Sequence, residues 1–257
     1  MKKFMRIIKR FALFFWLKLC HILFFVFNKK SSNLLQYHNI HKGKRVFIVA
    51  TGPSLRFEDL DKIKNEYTIS MNSIVNCFSK VSFRPTYYMI QDKKVLNNIY
   101  NVVNESDLNK VFVGIGNSYF MKVNLSKKDS KIIKKNTIFY NLDSSYHFYD
   151  MCYKENKINM RFSSDFAKKS YDGYTVTYSA IQLAYYMGFK EVYLLGCDCT
   201  YSGHFDEANT EQVCKPKYFE AYECAKEKIN DDFVIYNCTR GGMLEVFERK
   251  KLEDVLK

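Results

Sequence analysis

The sequence lacks three features that would identify common classes of protein. Only Gly52 lies in the first turn after a strand-like run, so neither Gly-x-G-x-x-Gly nor a Gly-Lys-Ser/Thr phosphate loop is present there. None of the eight cysteines forms a Cys-x-x-Cys pair, and several lie inside apolar runs. This usage favours reduced, buried thiols of a cytosolic domain over a disulfide framework.

Acidic residues are absent from the first 57 positions, where twelve lysines and arginines occur. The whole chain carries a formal charge of +13, so the remainder is close to neutral, at about +1. A nucleic-acid-binding protein would be expected to carry its basic face on the folded domain. The charge here belongs to an N-terminal arm, and we therefore expect no nucleic-acid partner.

The arm, residues 1–30, combines an apolar run with basic flanks. Between positions 11 and 27 only Lys18 and His21 are polar, and the run would span roughly 25 Å as a helix, less than the roughly 30 Å of a bilayer core. Lys18 would also be costly at the bilayer centre. We predict an amphipathic, hydrophobic helix that associates with the cytoplasmic face of the inner membrane.

Two other interpretations of the arm remain open. A secretory signal peptide has the same basic and apolar regions, but no small-residue cleavage site follows position 27. A short apolar run of this kind can also be a buried core helix.

Residues 31–43 are polar and are predicted to form a linker, and residues 44–257 are predicted to form one folded domain. Apolar runs alternate with helical patterns, which predicts an α/β fold with a mostly parallel sheet and helices on both faces. An aromatic, aperiodic stretch at about 143–172 is predicted to be a lid-like insertion. The predicted strands are 46–50, 67–71, 87–91, 111–115, 137–142, 192–196 and 233–236, and the predicted helices are 57–64, 93–103, 176–187, 218–228 and 250–256.

The turn after the first strand is a candidate anion site, because ligands of parallel α/β sheets bind beyond the carboxyl ends of strands. Gly52 permits a close turn, Pro53 fixes the backbone, and Ser54 can cap the following helix. Amides at such a turn would bind a phosphate or carboxylate. An ordinary Gly-Pro-Ser turn is the alternative. The candidate site residues here are Thr51, Gly52, Pro53 and Ser54.

Other polar residues follow later strands. Asn72 can bind a ligand or serve as an N-cap. Gln91 is a candidate ligand-binding residue, and Asp92, which follows it, can bind a ligand or stabilise the first turn of a helix. Asp198 follows a strand that we expect to be buried, so a carboxylate there is a stronger candidate, although it can also cap a loop turn.

His204 lies six residues beyond Asp198 in a glycine-containing loop, where a histidine can act as a general base. Arg240 precedes two glycines and can bind a carboxylate or phosphate. The alternatives are a solvent-facing histidine and a surface arginine. Tyr201 can bind phosphate oxygens without a metal. The spacing of Cys197 and Cys199 does not match a zinc site, and we expect no metal.

Two stretches, VFIVATGPSL and TVTYSAIQLAYYMGFKEVYLLGCDC, are similar to the two conserved blocks of the bacterial sialyltransferases of glycosyltransferase family 42. The order of ISMNS, PTYYMIQD, GHF and TRGGMLEVF resembles even more closely a related family. That family includes motility accessory factors and the archaeal 6-hydroxymethylpterin diphosphokinase-like proteins. The resemblance covers roughly residues 43–250.

The resemblance implies a Rossmann-like, GT-A-related fold that uses a CMP-activated sugar without a metal or other cofactor. It implies that the 51–54 turn lies against the donor phosphate, that Asn72 contacts the donor, and that Thr175 and Thr177 line the sugar. It also implies that His204 is the base. The sequence departs from family 42 in three places: Thr51 replaces an asparagine, Gly173 an arginine, and 175–177 a Thr-Ser-Gly motif.

Three functions follow as hypotheses. The first is a membrane-associated glycosyltransferase that moves a sugar from a nucleotide-sugar donor to a glycan or lipid-linked acceptor of the cell surface. The second is a phosphotransferase that resembles the pterin diphosphokinases and holds Mg²⁺ through Asp92 and Asp198. The third is a non-catalytic nucleotide-binding scaffold protein.

Overall fold

A computed structural model gives the architecture of the chain. It describes residues 12, 15, 16, 19 and 22 singly, and the segments 32–116, 125–126, 128–133, 137–147, 159–200 and 216–257. Most of the predicted N-terminal helix therefore lies outside the described residues. Across the described part of the chain, no helix is both long and apolar enough to cross a membrane.

The core of the molecule is one sheet in which every neighbouring pair of strands runs parallel. The spatial order is β6-β5-β4-β3-β2-β1-β7-β8-β9. The chain thus adds strands outward from β1 to one edge, returns, and continues on the other side of β1. The strands are β1 Arg45–Val49, β2 Thr68–Met71, β3 Tyr87–Ile90, β4 Val111–Gly116, β5 Thr137–Asp143, β6 Ser170–Tyr171, β7 Glu191–Leu195, β8 Val234–Asn237 and β9 Glu248–Arg249.

Helices cover both faces of the sheet. Successive side chains of a strand point to opposite faces, so a strand that is apolar throughout needs cover on both sides. In β1, Val46 and Ile48 belong to one buried cluster, while Phe47 and Val49 belong to the other. The α-helices are α1 Ser32–Leu35, α2 Phe57–Lys62, α3 Lys93–Glu105, α4 Val176–Tyr186, α5 Pro216–Lys226 and α6 Leu252–Val255, and two 3₁₀ helices span Asn72–Cys77 and Asp129–Ile132.

These observations confirm the predicted α/β, Rossmann-like class. The first cluster packs under α4 and α5, and the second under α2, α3 and α6. Each of the seven predicted strands lies within one residue of its observed bounds, and each of the five predicted helices within two. The two-residue edge strands β6 and β9 were not predicted.

The segment predicted as a linker instead packs against the domain. Leu34 and Tyr37 are buried, and the His41 ring stacks on Phe189 at 4.6 Å while its Nε2 lies 2.6 Å from the Tyr87 hydroxyl. The backbone amides of Asn39, His41 and Gly43 donate to the carbonyls that end α4. Residues 32–44 therefore form a strap across the amino-terminal edge of the sheet. The N-terminal arm, residues 1–30, is thus joined to a segment that is packed against the domain.

The predicted lid-like insertion at 143–172 is described only at its ends, 143–147 and 159–172. Tyr146, Phe166 and Ala167 are buried there, and Gln182 of α4 accepts hydrogen bonds from the amides of Ser163 and Tyr171. The described ends thus form part of the core. Whether the remainder acts as a lid stays a prediction.

Candidate functional site

The strand order places a topological switch point between β1 and β7. Because the chain leaves β1 toward one edge and later returns on its other side, the connections at these two carboxyl ends diverge and leave a crevice. The loops 51–54 and 196–199 meet there. The Gly52 amide donates to the Gly196 carbonyl at 2.9 Å, so the two loops are joined by their backbones.

The 51–54 segment forms a tight turn, as the sequence predicts. The Leu55 amide donates to the Gly52 carbonyl at 3.1 Å, which closes a β-turn over residues 52–55. Pro53 is the second residue of this turn, a position at which proline is favoured. Helix α2 begins only at Phe57, and its N-cap Arg56 makes no side-chain capping bond. Ser54 therefore does not cap the helix, and its hydroxyl donates to Asp198 Oδ2 at 2.9 Å.

The Asp198 carboxylate lies where the sequence predicted a bound anion. The residue is 5% exposed, and a Cβ added to Gly52 would lie 2.0 Å from Oδ2 and 2.5 Å from the Gly196 carbonyl. Glycine at position 52 thus makes room for this carboxylate. Burial raises the pKa of Asp198, and the hydrogen bond from Ser54 opposes that rise.

The loop after β8 holds Asp198 from the other side. The Met243 amide donates to the Asp198 carbonyl at 2.8 Å, and a Cβ on Gly242 would lie 2.7 Å from Asp198 Cα. The Cys197 amide donates to Thr239 Oγ1 at 3.0 Å. Three chain segments therefore converge on one acidic residue.

The start of α4 forms the adjoining wall of the crevice. Thr175 is the N-cap, and its side chain accepts from the Thr177 amide at 3.3 Å. The buried Thr177 hydroxyl lies 3.5 Å from the sulfur of Met71 at the end of β2. Burial raises the pKa of Tyr222, and hydrogen bonds with Thr177 and Thr175 oppose that rise. The Tyr222 hydroxyl therefore contacts the same two threonines.

Asn72 carries two signs of a ligand-facing residue. Its φ of +50° is in the left-handed region, and its buried Oδ1 has no hydrogen-bond partner among the described residues. The following 3₁₀ helix has Met71 as N-cap without a side-chain bond, so the capping alternative for Asn72 is not formed. A polar ligand or water would satisfy this oxygen.

Two other candidates make structural contacts. Gln91 Oε1 accepts from the hydroxyls of Tyr140 and Ser179, which ties β3 to β5 and α4. Asp92 is the N-cap of α3 and accepts from the Val95 amide at 2.9 Å. The Asp92 contact corresponds to the structural alternative for that position, and neither contact by itself tests ligand binding.

Arg240 lies in an ion-pair network. Its guanidinium donates to both oxygens of Asp59, at 3.0 and 2.6 Å, and to Glu253 at 2.9 Å. Asp59 and Asp61 also form an Asp-x-Asp pattern that the sequence analysis overlooked. Asp59 is committed to Arg240 and Asp61 is exposed, with Ser82 Oγ at 3.5 Å.

Tyr201 and His204 lie outside the described residues, and their predicted roles stay predictions. Pro53 is exposed and Thr51 is buried. Within the described ranges, no three His, Cys, Asp or Glu side chains converge as metal ligands would. Sequence reasoning also missed Asp172, whose only signal was its place after a two-residue strand.

Replacing Gly52 with alanine should destabilise the protein through Asp198. The added Cβ forces the carboxylate and the Gly196 carbonyl to move, and we expect the free energy of unfolding to fall by about 2 kcal/mol. In an Asp198→Ala background the loss should be smaller by about 1 kcal/mol. Denaturant unfolding of the four proteins measures this coupling.

Gly43→Ala is the matched control, because Gly43 has a φ of +76° and nothing within 4 Å of an added Cβ. Its cost should be the same in both backgrounds. Equal costs of Gly52→Ala in both backgrounds would mean that Gly52 does not serve the Asp198 contact.

Replacing Arg240 with methionine should affect stability more than ligand binding. The Asp59 side chain is 3% exposed, and without its cation the unfolding free energy should fall by about 2 kcal/mol. Adding Asp59→Asn should recover part of this loss. Unchanged stability together with a tenfold weaker nucleotide affinity would instead indicate that Arg240 binds the ligand.

The chain is similar to known proteins in its fold and in a family sequence profile. No curated protein sequence matches the chain. The fold is similar to that of the MAf glycosyltransferase from Magnetospirillum magneticum AMB-1, with a TM-score of 0.55 and 17% sequence identity. The similarity covers 87% of this chain and 38% of that one, so this chain spans well under half of that protein.

A sequence profile of the 6-hydroxymethylpterin diphosphokinase MptE-like family matches residues 22–204, which is well over half of the chain. This match confirms the resemblance drawn from the motifs on β1, β2, β3 and β7. The chain belongs to the 6-hydroxymethylpterin diphosphokinase MptE-like family.

Proposed function

We propose that this chain is a glycosyltransferase that takes a sugar from a CMP-activated donor without a metal and transfers it to a glycan or lipid-linked acceptor. One observation carries the proposal: the Gly52–Ser54 turn, the Asp198 carboxylate and the start of α4 all meet at the switch point. The fold shared with a glycosyltransferase supports it.

The Asp198 contact defines how a donor phosphate would enter. A phosphate at the turn would meet the carboxylate that Ser54 now binds, and two like charges repel at such a distance. In our proposal Asp198 turns away when the donor binds, and the Ser54 hydroxyl and amide then face the phosphate. Donor binding thus separates the Ser54 hydroxyl from the Asp198 carboxylate and frees both groups.

The released carboxylate also suits the chemistry of transfer. The acceptor hydroxyl attacks the anomeric carbon, the bond from that carbon to the CMP phosphate breaks, and CMP leaves with the electron pair. A base must accept the hydroxyl proton. Burial raises the pKa of Asp198, which makes its carboxylate a stronger base than an exposed one. Asp198 and the predicted His204 are the candidates.

A second function is favoured by the family to which the chain belongs. In a diphosphokinase-like reaction Asp198 would hold a Mg²⁺ ion, whose charge would offset the repulsion between this carboxylate and substrate phosphates. The second predicted ligand, Asp92, already caps α3 through one oxygen. Described side chains therefore offer Asp198 as the main protein ligand. A scaffold protein that binds nucleotide without turnover is the third alternative.

Nucleotide binding and turnover together separate the three functions. Isothermal calorimetry on the full chain would test CMP, CDP, UDP, GDP, ADP and ATP, each with and without Mg²⁺. We expect CMP to bind, with the same affinity in both conditions. Ser54→Ala should weaken this binding about tenfold, because one hydrogen bond to a charged group is lost. Donor hydrolysis and transfer assays with CMP-sugars would follow.

Ser82→Ala is the matched control, since Ser82 also lies beside an aspartate but on an exposed surface away from the crevice. Its affinity should equal that of the unmodified chain. Binding of ATP that requires Mg²⁺ would favour the phosphotransferase, and nucleotide binding without any turnover in the hydrolysis and transfer assays would favour the scaffold protein.

We also propose that the arm holds the domain at the cytoplasmic face of the inner membrane, near lipid-linked acceptors. Its charge supports this, as do the described residues Phe15, Trp16, Leu19 and Ile22, which are helical and at least 48% exposed. Their spacing lines one side of a helix.

Removing residues 1–30 should abolish flotation with vesicles that contain phosphatidylglycerol, while the strap and the domain remain folded. Trp16→Ser with Leu19→Ser should reduce flotation, and Leu35→Ser, on the exposed side of the strap, is the control. Flotation of the truncated chain at the original level would refute anchoring by the arm.

A further inference from the structure

Asp172 is a buried carboxylate that the proposed reaction does not use. It follows β6 at the carboxyl edge of the sheet and is 5% exposed. Among the described residues no basic side chain forms an ion pair with it, since Lys169 pairs with Asp143 at 2.9 Å. A buried carboxylate without a cation is costly, which calls for a local role.

That role lies in three contacts that form a closed ring. Asp172 Oδ1 accepts from the Tyr174 amide at 2.8 Å. The Tyr174 ring stacks on the His147 ring with centroids 4.2 Å apart and planes 15° apart. His147 Nε2 lies 2.8 Å from the Asp172 carbonyl oxygen, which also accepts from the Tyr146 hydroxyl. We call Asp172, Tyr174 and His147 the latch.

The latch holds a strained turn. Tyr174 has a φ of +65°, in the left-handed region that a bulky side chain rarely adopts. The surrounding contacts must therefore over-determine this conformation, as they do at many functional sites. Gly173 contributes, because a Cβ there would lie 2.4 Å from the Tyr178 ring.

The turn leads directly into the crevice. Thr175, the next residue, is the N-cap of α4, and Thr177 follows against the sulfur of Met71 and beside Tyr222. A change at Tyr174 would therefore alter the direction in which α4 begins. We propose that Asp172 is a positioning residue: its carboxylate closes the latch and thereby fixes Thr175 and the start of α4 against the ligand crevice.

The charge state of Asp172 gives the latch a pH dependence. Burial, with a contribution from Asp143, raises its pKa to about 6, while the hydrogen bond from the Tyr174 amide opposes that rise. A protonated carboxyl accepts this hydrogen bond less strongly than a carboxylate. The ionisable groups around Asp172 are Tyr140, Asp143, Tyr146, His147, Arg161, Lys169 and Tyr174.

The same pKa sets the sign of the effect on stability. A carboxyl whose pKa is higher in the folded chain than in the unfolded chain favours folding when protonated. Stability therefore falls as pH rises from about 4 through about 6. Asp172→Asn, which keeps an oxygen acceptor, should melt at a higher temperature than the unmodified chain at pH 7.5. That gain should disappear at pH 4.

Hydrogen exchange measured by mass spectrometry on the full chain tests the latch directly. Asp172→Ala should raise exchange in the peptide 173–178 at least tenfold, and Asp172→Asn, a neutral acceptor like the protonated carboxyl, should raise it only several-fold. In the unmodified chain, protection corrected for intrinsic rates should fall below pH 6 to the level of Asp172→Asn, whose own protection should not change with pH. Asp165→Ala is the control, because Asp165 accepts from the Lys168 amide in a similar turn that does not reach α4.

The proposal rests on the proposed function only in its claim about the ligand, so CMP affinity is measured on the same proteins. Asp172→Ala should weaken CMP binding at least tenfold at pH 7.5, and Asp172→Asn less than twofold. If the unmodified chain binds no nucleotide, the proposed function fails, while exchange still tests the latch.

Unchanged exchange in Asp172→Ala would overturn the latch. Raised exchange with unchanged affinity would overturn the positioning role. Should Asp172→Ala not fold, the pH series of the unmodified chain against Asp172→Asn decides, and two flat series would refute the proposal.

Discussion

The hydrogen bond from Ser54 to the Asp198 carboxylate joins the two sides of the switch point, and the surrounding loops are shaped to allow it. Gly52 leaves room for the carboxylate, and Gly242 lets the last loop reach the Asp198 backbone. Gly196, at a φ of +64°, turns the end of β7 toward β1. Because a Cβ at any of these glycines would clash, the geometry of the crevice depends on the space around this one acidic residue.

The sheet was predictable because its strands are buried on both faces and therefore read as continuous apolar runs. The elements that were missed lack such a signal. Strand β6 has two residues, and the side-chain amide of Gln182 binds the backbone of Tyr171 in it. The two residues are 11 positions apart in the sequence, so no local pattern reveals the contact. The strap reads as polar, yet Leu34 and Tyr37 anchor it. Single buried side chains in polar segments, and long-range hydrogen bonds, are the information that periodicity does not contain.

The candidate site was predictable in position but not in its contacts. Polar residues at strand ends identify the carboxyl edge, and this edge is where Ser54, Asn72 and Asp198 lie. Which group each one binds depends on its neighbours in space. Ser54 matches the signature of a helix cap, yet Arg56 is the residue that precedes α2, and the Ser54 hydroxyl binds Asp198 instead. Arg240 matches an anion-binding residue, yet α2 brings Asp59 within reach of it.

Two buried carboxylates at one edge of the sheet bear on whether this edge serves stability or function. Burial raises the pKa values of both Asp198 and Asp172, so ionising either group near neutral pH disfavours the folded chain. Asn72, Tyr174 and Cys199 add backbone strain at the same edge, since all three non-glycine residues have positive φ. A sequence selected for stability alone would carry glycine at positions such as Tyr174 and Cys199. Backbone strain, buried carboxylates and the unpartnered amide oxygen of Asn72 therefore coincide at the edge of the sheet where a ligand is expected. Ligand binding at this edge would relieve them.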